Sequence, residues 1–124
     1  MPKPNAFKQN CPSSRILERL GERWAMLLLV RLSDGPVRYL QLQRDIEGIT
    51  KKMLTQTLRR LERDGFVVRQ TIRLRPLAVE YALTPRGREV TPLIVQLKRW
   101  AEQNWRAIGA SNAAFDGGHF QVPN

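Results

Sequence analysis

One cysteine, Cys11, and one histidine, His119, are all the thiol and imidazole this chain has. A single cysteine excludes an intramolecular disulfide. One Cys and one His at opposite ends do not make a structural zinc site of usual ligand spacing. The sequence also lacks a glycine-rich phosphate loop, an HExxH pair and a nucleophile elbow. Metal and nucleotide chemistry therefore have no foothold. No cofactor and no metal is expected, and no enzyme activity, since no acid–base pair or nucleophile constellation is present. Long apolar runs are missing too. "WAMLLLV" is short and flanked by charge, far from the roughly 20 residues that span a bilayer, and reads as buried helix. Met1–Asn10 has no apolar core of the signal-peptide kind. The expectation is a cytoplasmic protein with no membrane partner.

Acidic residues are scarce. Eleven Asp/Glu stand against 21 Lys/Arg, a net charge of +10 and a pI of about 11.0. That imbalance favours a polyanionic partner, nucleic acid first and an anionic membrane surface second. Hydrophobic residues make up 42% of 124, enough for the packed core of one ordinary domain.

The chain reads as a polar arm, Met1–Asn10, followed by helices. Ser13 or Ser14 is expected to cap the first. Ile16, Leu17 and Leu20 make one apolar stripe, and Trp24, Leu27, Leu28 and Leu32 a second; Gly21 between them marks a break. Trp24, Leu27 and Leu28 are expected in the core. Gly35 and Pro36 stop the second helix. Tyr39, Leu42 and Ile46 recur at helical spacing, Gly48 closes that helix, and Ile49 is a buried plug. Thr50 then caps "KKMLTQTLRRLERDG" by the usual preference for a hydroxyl at that position. Two helices on a tight glycine-bearing turn are the layout of a helix-turn-helix. After Gly65 the period changes: "FVVRQTI" and "AVEYAL" read as strands, joined by the basic tip Arg73–Pro76 to form a wing. Thr84 and Pro85 restart a helix that is expected to run to about Arg106. The rest, 108–124, reads as a loose tail, with His119 solvated.

The helix after Thr50 has an uneven surface. On a wheel of 3.6 residues per turn, Leu54, Leu58 and Leu61 share one side and Lys52, Gln56, Arg59 and Arg63 the other. A merely solvated face usually mixes signs and adds Glu–Lys pairs. Here Glu62 and Asp64 stand only at the C-terminal end. Arginine suits guanine and glutamine suits adenine, each through two hydrogen bonds. From Arg38 to Arg88 there are 12 Lys/Arg and 5 Asp/Glu, so this stretch carries +7 of the +10. The charge excess sits on the helix-turn-helix and wing, as an electrostatic footprint should.

Cys11 has two readings. A free cysteine is commonly a small apolar plug. It also precedes a helix start, beside Pro12 and near Arg15, and both surroundings stabilise a thiolate. Arg38 and Arg44 suit phosphate contacts or plain surface equally. Trp100 and Trp105 suit either a helix folded back on its own domain or one buried against a second subunit.

Several segments, in order, are specific: "CP" at Cys11, "GERW" at Gly21, "LSDGPVRYLQL", "GITKKMLTQTLRRLERDGFV" and "VEYALTPRG". Together, over about Cys11 to Trp105, they resemble the HxlR-type winged helix-turn-helix regulators, relatives of the MarR group. The resemblance implies a mostly α fold with a small β-hairpin wing, spanning 11–107 and dimerising through its terminal helices. It implies a homodimer on an inverted-repeat operator of double-stranded DNA, acting as a repressor. Lys51, Lys52, Thr55, Gln56 and Arg59 match the recognition-helix positions; Thr50, Arg60, Arg63 and the wing's Arg73 and Arg75 extend the expected DNA surface, with Arg38. Ile16, Leu93, Leu97, Trp100 and Trp105 are the expected dimer interface. The wing departs from the family pattern: Pro76 stands alone, followed by Leu77 and Ala78, where two prolines are usual. Relatives that sense oxidants, quinones or aldehydes with a cysteine at this position make Cys11 a candidate redox sensor, with a small molecule or an oxidant as effector. A winged-helix module that docks proteins rather than DNA is the alternative, and the basic helix face argues against it.

Overall fold

The computed structural model describes residues 3, 5–8 and 11–118. His119, the rest of the expected tail to Asn124, and part of the expected N-terminal arm lie outside the described residues. The amides of Lys8 and Cys11 close turns onto the carbonyls of Asn5 and Lys8, at 3.0 and 3.1 Å, and lead into the first helix.

Helix α1 spans Pro12–Leu20. Its cap is Cys11, not Ser13 or Ser14, because Pro12 takes the first helical position, where its fixed φ and missing N–H cost nothing. Gly21 ends it. Helix α2, Arg23–Arg31, begins on the Glu22 carboxylate, which accepts from the amides of Trp24 (3.0 Å) and Ala25 (2.9 Å). Its buried stripe is Ala25, Leu28 and Leu29, continued by Leu32. Trp24 and Leu27, expected in the core, are only half-buried against its rim. A 3₁₀ turn, Leu32–Asp34, and Gly35 at φ +138° redirect the chain.

Strand β1, Val37–Arg38, and helix α3, Tyr39–Asp45, follow. Ile46 lies just past the helix in extended backbone, yet stays buried. The Arg31 guanidinium reaches Asp45 at 2.6 Å and ties α2 to α3. That bond, with one from Gln41, holds the Asp45 carboxyl below its ordinary range.

Helix α4 spans Lys51–Arg63, and the Thr50 hydroxyl caps it by accepting from the Met53 amide at 3.1 Å. Leu54, Thr57, Leu58 and Leu61 are buried. At the other end Gly65 is left-handed, with φ +81°. Its amide donates to Glu62 and the Phe66 amide to Leu61, 3.0 and 2.9 Å, the paired bonds that close a helix on a glycine.

Strands β2 (Val67–Leu74) and β3 (Leu77–Leu83) form the hairpin. The sheet is three-stranded and antiparallel in the order β1-β3-β2, because β1 pairs Val37 with Tyr81 and Arg38 with Glu80. The expected wing had two strands; β1 adds the third. The β2–β3 register shifts between Thr71 and Arg73, a bulge that bends the strand.

Helix α5 spans Pro85–Gly117, capped by Thr84. It continues well beyond Arg106, so the expected loose tail is helical from 108 to 117. At 1.5 Å per residue its 33 residues extend about 50 Å. Its first turn is pressed onto the end of α4. The Thr84 hydroxyl donates to the Gly65 carbonyl (2.5 Å) and the Thr84 amide to Phe66 (3.0 Å). A Cβ on Gly87 would stand 2.1 Å from the Phe66 carbonyl oxygen, so only glycine fits there.

Candidate nucleic-acid interface

Burial of Leu54, Leu58 and Leu61 turns the opposite face of α4 outward. Lys52, Gln56, Arg59 and Arg63 are all exposed there, and Lys51, in line with the leucines, is exposed at the first position of the helix. Thr55 is half-buried at the edge of that face, and its hydroxyl lies 2.9 Å from that of Tyr39 on α3. Thr50 is exposed, with its side chain committed to the helix cap.

Beside this face, α3, α4 and the hairpin enclose an open cleft of about 1140 Å³. Arg38, Arg44, Arg59, Arg69 and Arg73 line it, against one carboxylate, Glu62. The structure therefore gathers Arg38, Thr55, Arg59 and Arg73 into one concavity. Arg75 sits at the hairpin turn. The Arg73 side chain donates from Nε to the Pro76 carbonyl at 3.1 Å, bracing that turn.

Arg60 is placed elsewhere. It borders a second, smaller hollow between α1, α2 and α4, with Arg15, Arg19, Glu18, Glu22 and Asp64. It is exposed at the flank of the basic face, one turn on from Gln56 and turned toward α1.

Two cleft residues were outside the expected set. Arg69 pairs with Tyr81 across the sheet, and burial pushes the Tyr81 phenol up in pKa while Arg69 opposes the shift. The alternation that marked Val79, Tyr81 and Leu83 as inward also marks their register partners, Val67, Arg69 and Thr71, so this arginine was within reach of the pattern. Tyr39 looked like a helix stripe residue, and only the tertiary packing shows its hydroxyl against α4.

Cys11 is buried and its Sγ lies 3.0 Å from the Ser13 hydroxyl. That bond, opposed by burial and helped by the backbone, lowers the thiol pKa from its ordinary value. The expected interface residues are all open: Ile16, Leu93, Leu97, Trp100 and Trp105 are 45–65% exposed. By helical spacing Leu93, Leu97, Trp100 and Ile108 share one line. Trp105 lies instead on the side of Val90 and Ile94, past the end of the core those two residues face. Among the described residues, no helix is long and apolar enough to cross a membrane.

A helix-turn-helix with an outward basic second helix and a three-stranded wing defines a winged helix-turn-helix regulator. Comparison with known proteins narrows the class. The HxlR-like helix-turn-helix model matches residues 19–108. The chain is 42% identical over 100 residues to the uncharacterized HTH-type transcriptional regulator YtfH of Escherichia coli, covering 81% of this chain and 79% of that one. Among solved structures, a transcriptional regulator ytfH from Salmonella typhimurium superposes with a TM-score of 0.84 at 39% identity, covering 89% of this chain and 98% of that one. The redox regulator HypR in its oxidized form superposes at 0.70, also 39% identical, covering 76% and 97%. The protein belongs to the HxlR family of helix-turn-helix transcriptional regulators.

Proposed function

We propose that the chain is a dimeric, sequence-specific DNA-binding repressor. Helix α4 enters the major groove of each half of an inverted repeat, and the hairpin lies on the flanking backbone or minor groove. The observation that carries this reading is the outward face of α4, with Lys52, Gln56, Arg59 and Arg63 exposed opposite a fully buried leucine row. The five-arginine cleft beside it supports a phosphate track. Helices α1 and α5 supply the subunit contact, since their apolar residues are exposed. A two-fold pair then sets its two α4 helices about 34–36 Å apart, one turn of DNA. Arg60, exposed on the flank of the same face, adds charge at its border with α1.

Cys11 answers an oxidant or electrophile in the same reading. Its bond to Ser13 favours the thiolate, and the named neighbour HypR is a redox regulator. With one cysteine per chain, the product is a disulfide between subunits, a mixed disulfide with a small thiol, or an adduct.

The test is operator binding, on a site selected from a random duplex library, across a salt series. Affinity falls steeply with salt as phosphates release counterions. Gln56→Ala and Arg59→Ala each cost about 1–3 kcal/mol on the operator and relax preference at particular base pairs. Equal losses on operator and random duplex reduce both residues to phosphate contacts. Failure to select any duplex overturns the reading. A reporter behind the operator is silenced by the wild-type chain and released by diamide; in Cys11→Ser it stays silent.

A further inference from the structure

Threonine inside a helix usually turns its hydroxyl back to the carbonyl four residues earlier. Thr57 does so, donating to Met53 at 2.7 Å. Thr55 stands at the same spacing from Lys51 but bonds Tyr39 instead, oxygen to oxygen at 2.9 Å. The Tyr39 hydroxyl in turn reaches the Lys51 carbonyl at 3.4 Å. A phenol has one proton to give. Both contacts are therefore satisfied together only when Thr55 donates to Tyr39 and Tyr39 donates to Lys51. The tyrosine stands between a threonine and the carbonyl it would otherwise take.

The position of this chain of bonds matters. It joins the first helix of the motif to the second at the N-terminal turns of α4, the part of a recognition helix that meets base edges. Thr55 lies at the margin of the outward face and lines the cleft with Arg59. With its oxygen committed to α3, the group it has left to offer is its methyl. A threonine methyl packs against the methyl group of thymine.

We propose that Tyr39 is a positioning residue for base reading: by holding the Thr55 hydroxyl, it fixes the Thr55 methyl as the group that α4 presents to a thymine. The inference rests on the DNA-binding reading above and adds a specificity device to it. In Tyr39→Phe the ring still packs, and Thr55 falls back on the Lys51 carbonyl, which turns its methyl away. In Thr55→Val the oxygen is gone and a methyl remains in either orientation.

The experiment uses the full chain and an operator selected from a random duplex library. Each contacted thymine is replaced by uracil, which removes only the methyl. Wild type is expected to lose affinity at one half-site position when that methyl goes. Tyr39→Phe loses roughly fourfold in preference for operator over random duplex, the scale of one methyl group taken out of an apolar contact, and becomes indifferent to uracil there. Its affinity for random duplex and its salt slope stay at the wild-type value, which a general loosening of the fold would not leave in place. The double variant Tyr39→Phe/Thr55→Val regains sensitivity to the thymine methyl. Wild type indifferent to uracil at every position, or Tyr39→Phe with wild-type discrimination, overturns the inference and leaves operator binding standing. Wild type that selects no operator overturns the DNA-binding reading itself, and this inference with it.

Discussion

Arg19, at the end of α1, places its guanidinium 2.9 Å from the carboxylate of Asp64, the residue that caps the C-terminus of α4. The carbonyl of the same Asp64 accepts from Arg86 of α5 at 2.9 Å. One residue thus links the helix that carries Cys11, the outward basic helix, and the long terminal helix. A change in α1 has a short mechanical route to α4.

The first prediction concerns that link. The ion pair is part-exposed, so its direct worth is about 0–1 kcal/mol. Arg19→Ala should change the unfolding free energy by no more than that and leave operator affinity near wild type. The affinity lost after diamide treatment should shrink, because the route from α1 to α4 is cut. Equal oxidant responses in wild type and Arg19→Ala, read by fluorescence anisotropy, would show that the signal travels another way.

The second concerns the thiol. The Ser13 hydroxyl is the largest influence lowering the Cys11 pKa. A lowered pKa means that the thiolate persists to lower pH, so alkylation by iodoacetamide should reach half its limiting rate below the pH of an ordinary cysteine. In Ser13→Ala the midpoint should move up. Rates measured by mass spectrometry across pH 6–10 decide the matter, and coincident midpoints would remove Ser13 from the account.

The third concerns assembly. Leu97 and Trp100 lie exposed on one line of α5 with Leu93 and Ile108. Leu97→Asp sets a charge in that stripe at a side chain outside the buried core. Sedimentation should show a monomer in place of a dimer, with an unchanged far-ultraviolet spectrum. Operator affinity should drop more than random-duplex affinity, since two half-sites no longer bind as one unit. A dimer that survives Leu97→Asp would place the subunit contact on another surface.

The fourth concerns the junction of α4, β2 and α5. Gly87→Ala forces a Cβ against the Phe66 carbonyl, a backbone atom that cannot swing aside. Overpacking of this kind costs about 1–3 kcal/mol or more. Gly109→Ala, on the same helix, meets open space and should stabilise by up to about 1 kcal/mol. Urea titrations of the two variants should move in opposite directions.

Much of this architecture was legible in the chain because its signals are local. Thr50 and Thr84 announce helix starts with their own hydroxyls, and Gly65 announces a stop with its backbone. The α4 face was legible because 3.6-residue spacing separates Leu54, Leu58 and Leu61 from Lys52, Gln56, Arg59 and Arg63. What escaped depends on partners distant in sequence. Strand β1 is two residues long, too short to have a period, and exists because Tyr81 and Glu80 are there to pair with it. Helix α2 turns Ala25 and Leu29 inward rather than Trp24 and Leu27 because α4 and α5 pack on that side. The continuation of α5 past Arg106 was hidden by Gly109 and Asn112, which lower helix propensity. Ile108, in line with Leu97, and the alanines 107, 110, 113 and 114 were the readable signs of it. Arg69 went unremarked for a related reason: charge shows in a sequence, but the company it keeps does not.

The clamp between Thr84 and the Gly65–Phe66 carbonyls has an evolutionary consequence. It brings the two feet of the hairpin together, so the chain leaves the body of the protein and returns to it at one place. Everything between is a side loop in the topological sense. Residues can be gained, lost or exchanged at the exposed tip, Arg73 to Leu77, with the feet of the hairpin still held together. A lineage that keeps the clamp is free to rewrite the tip.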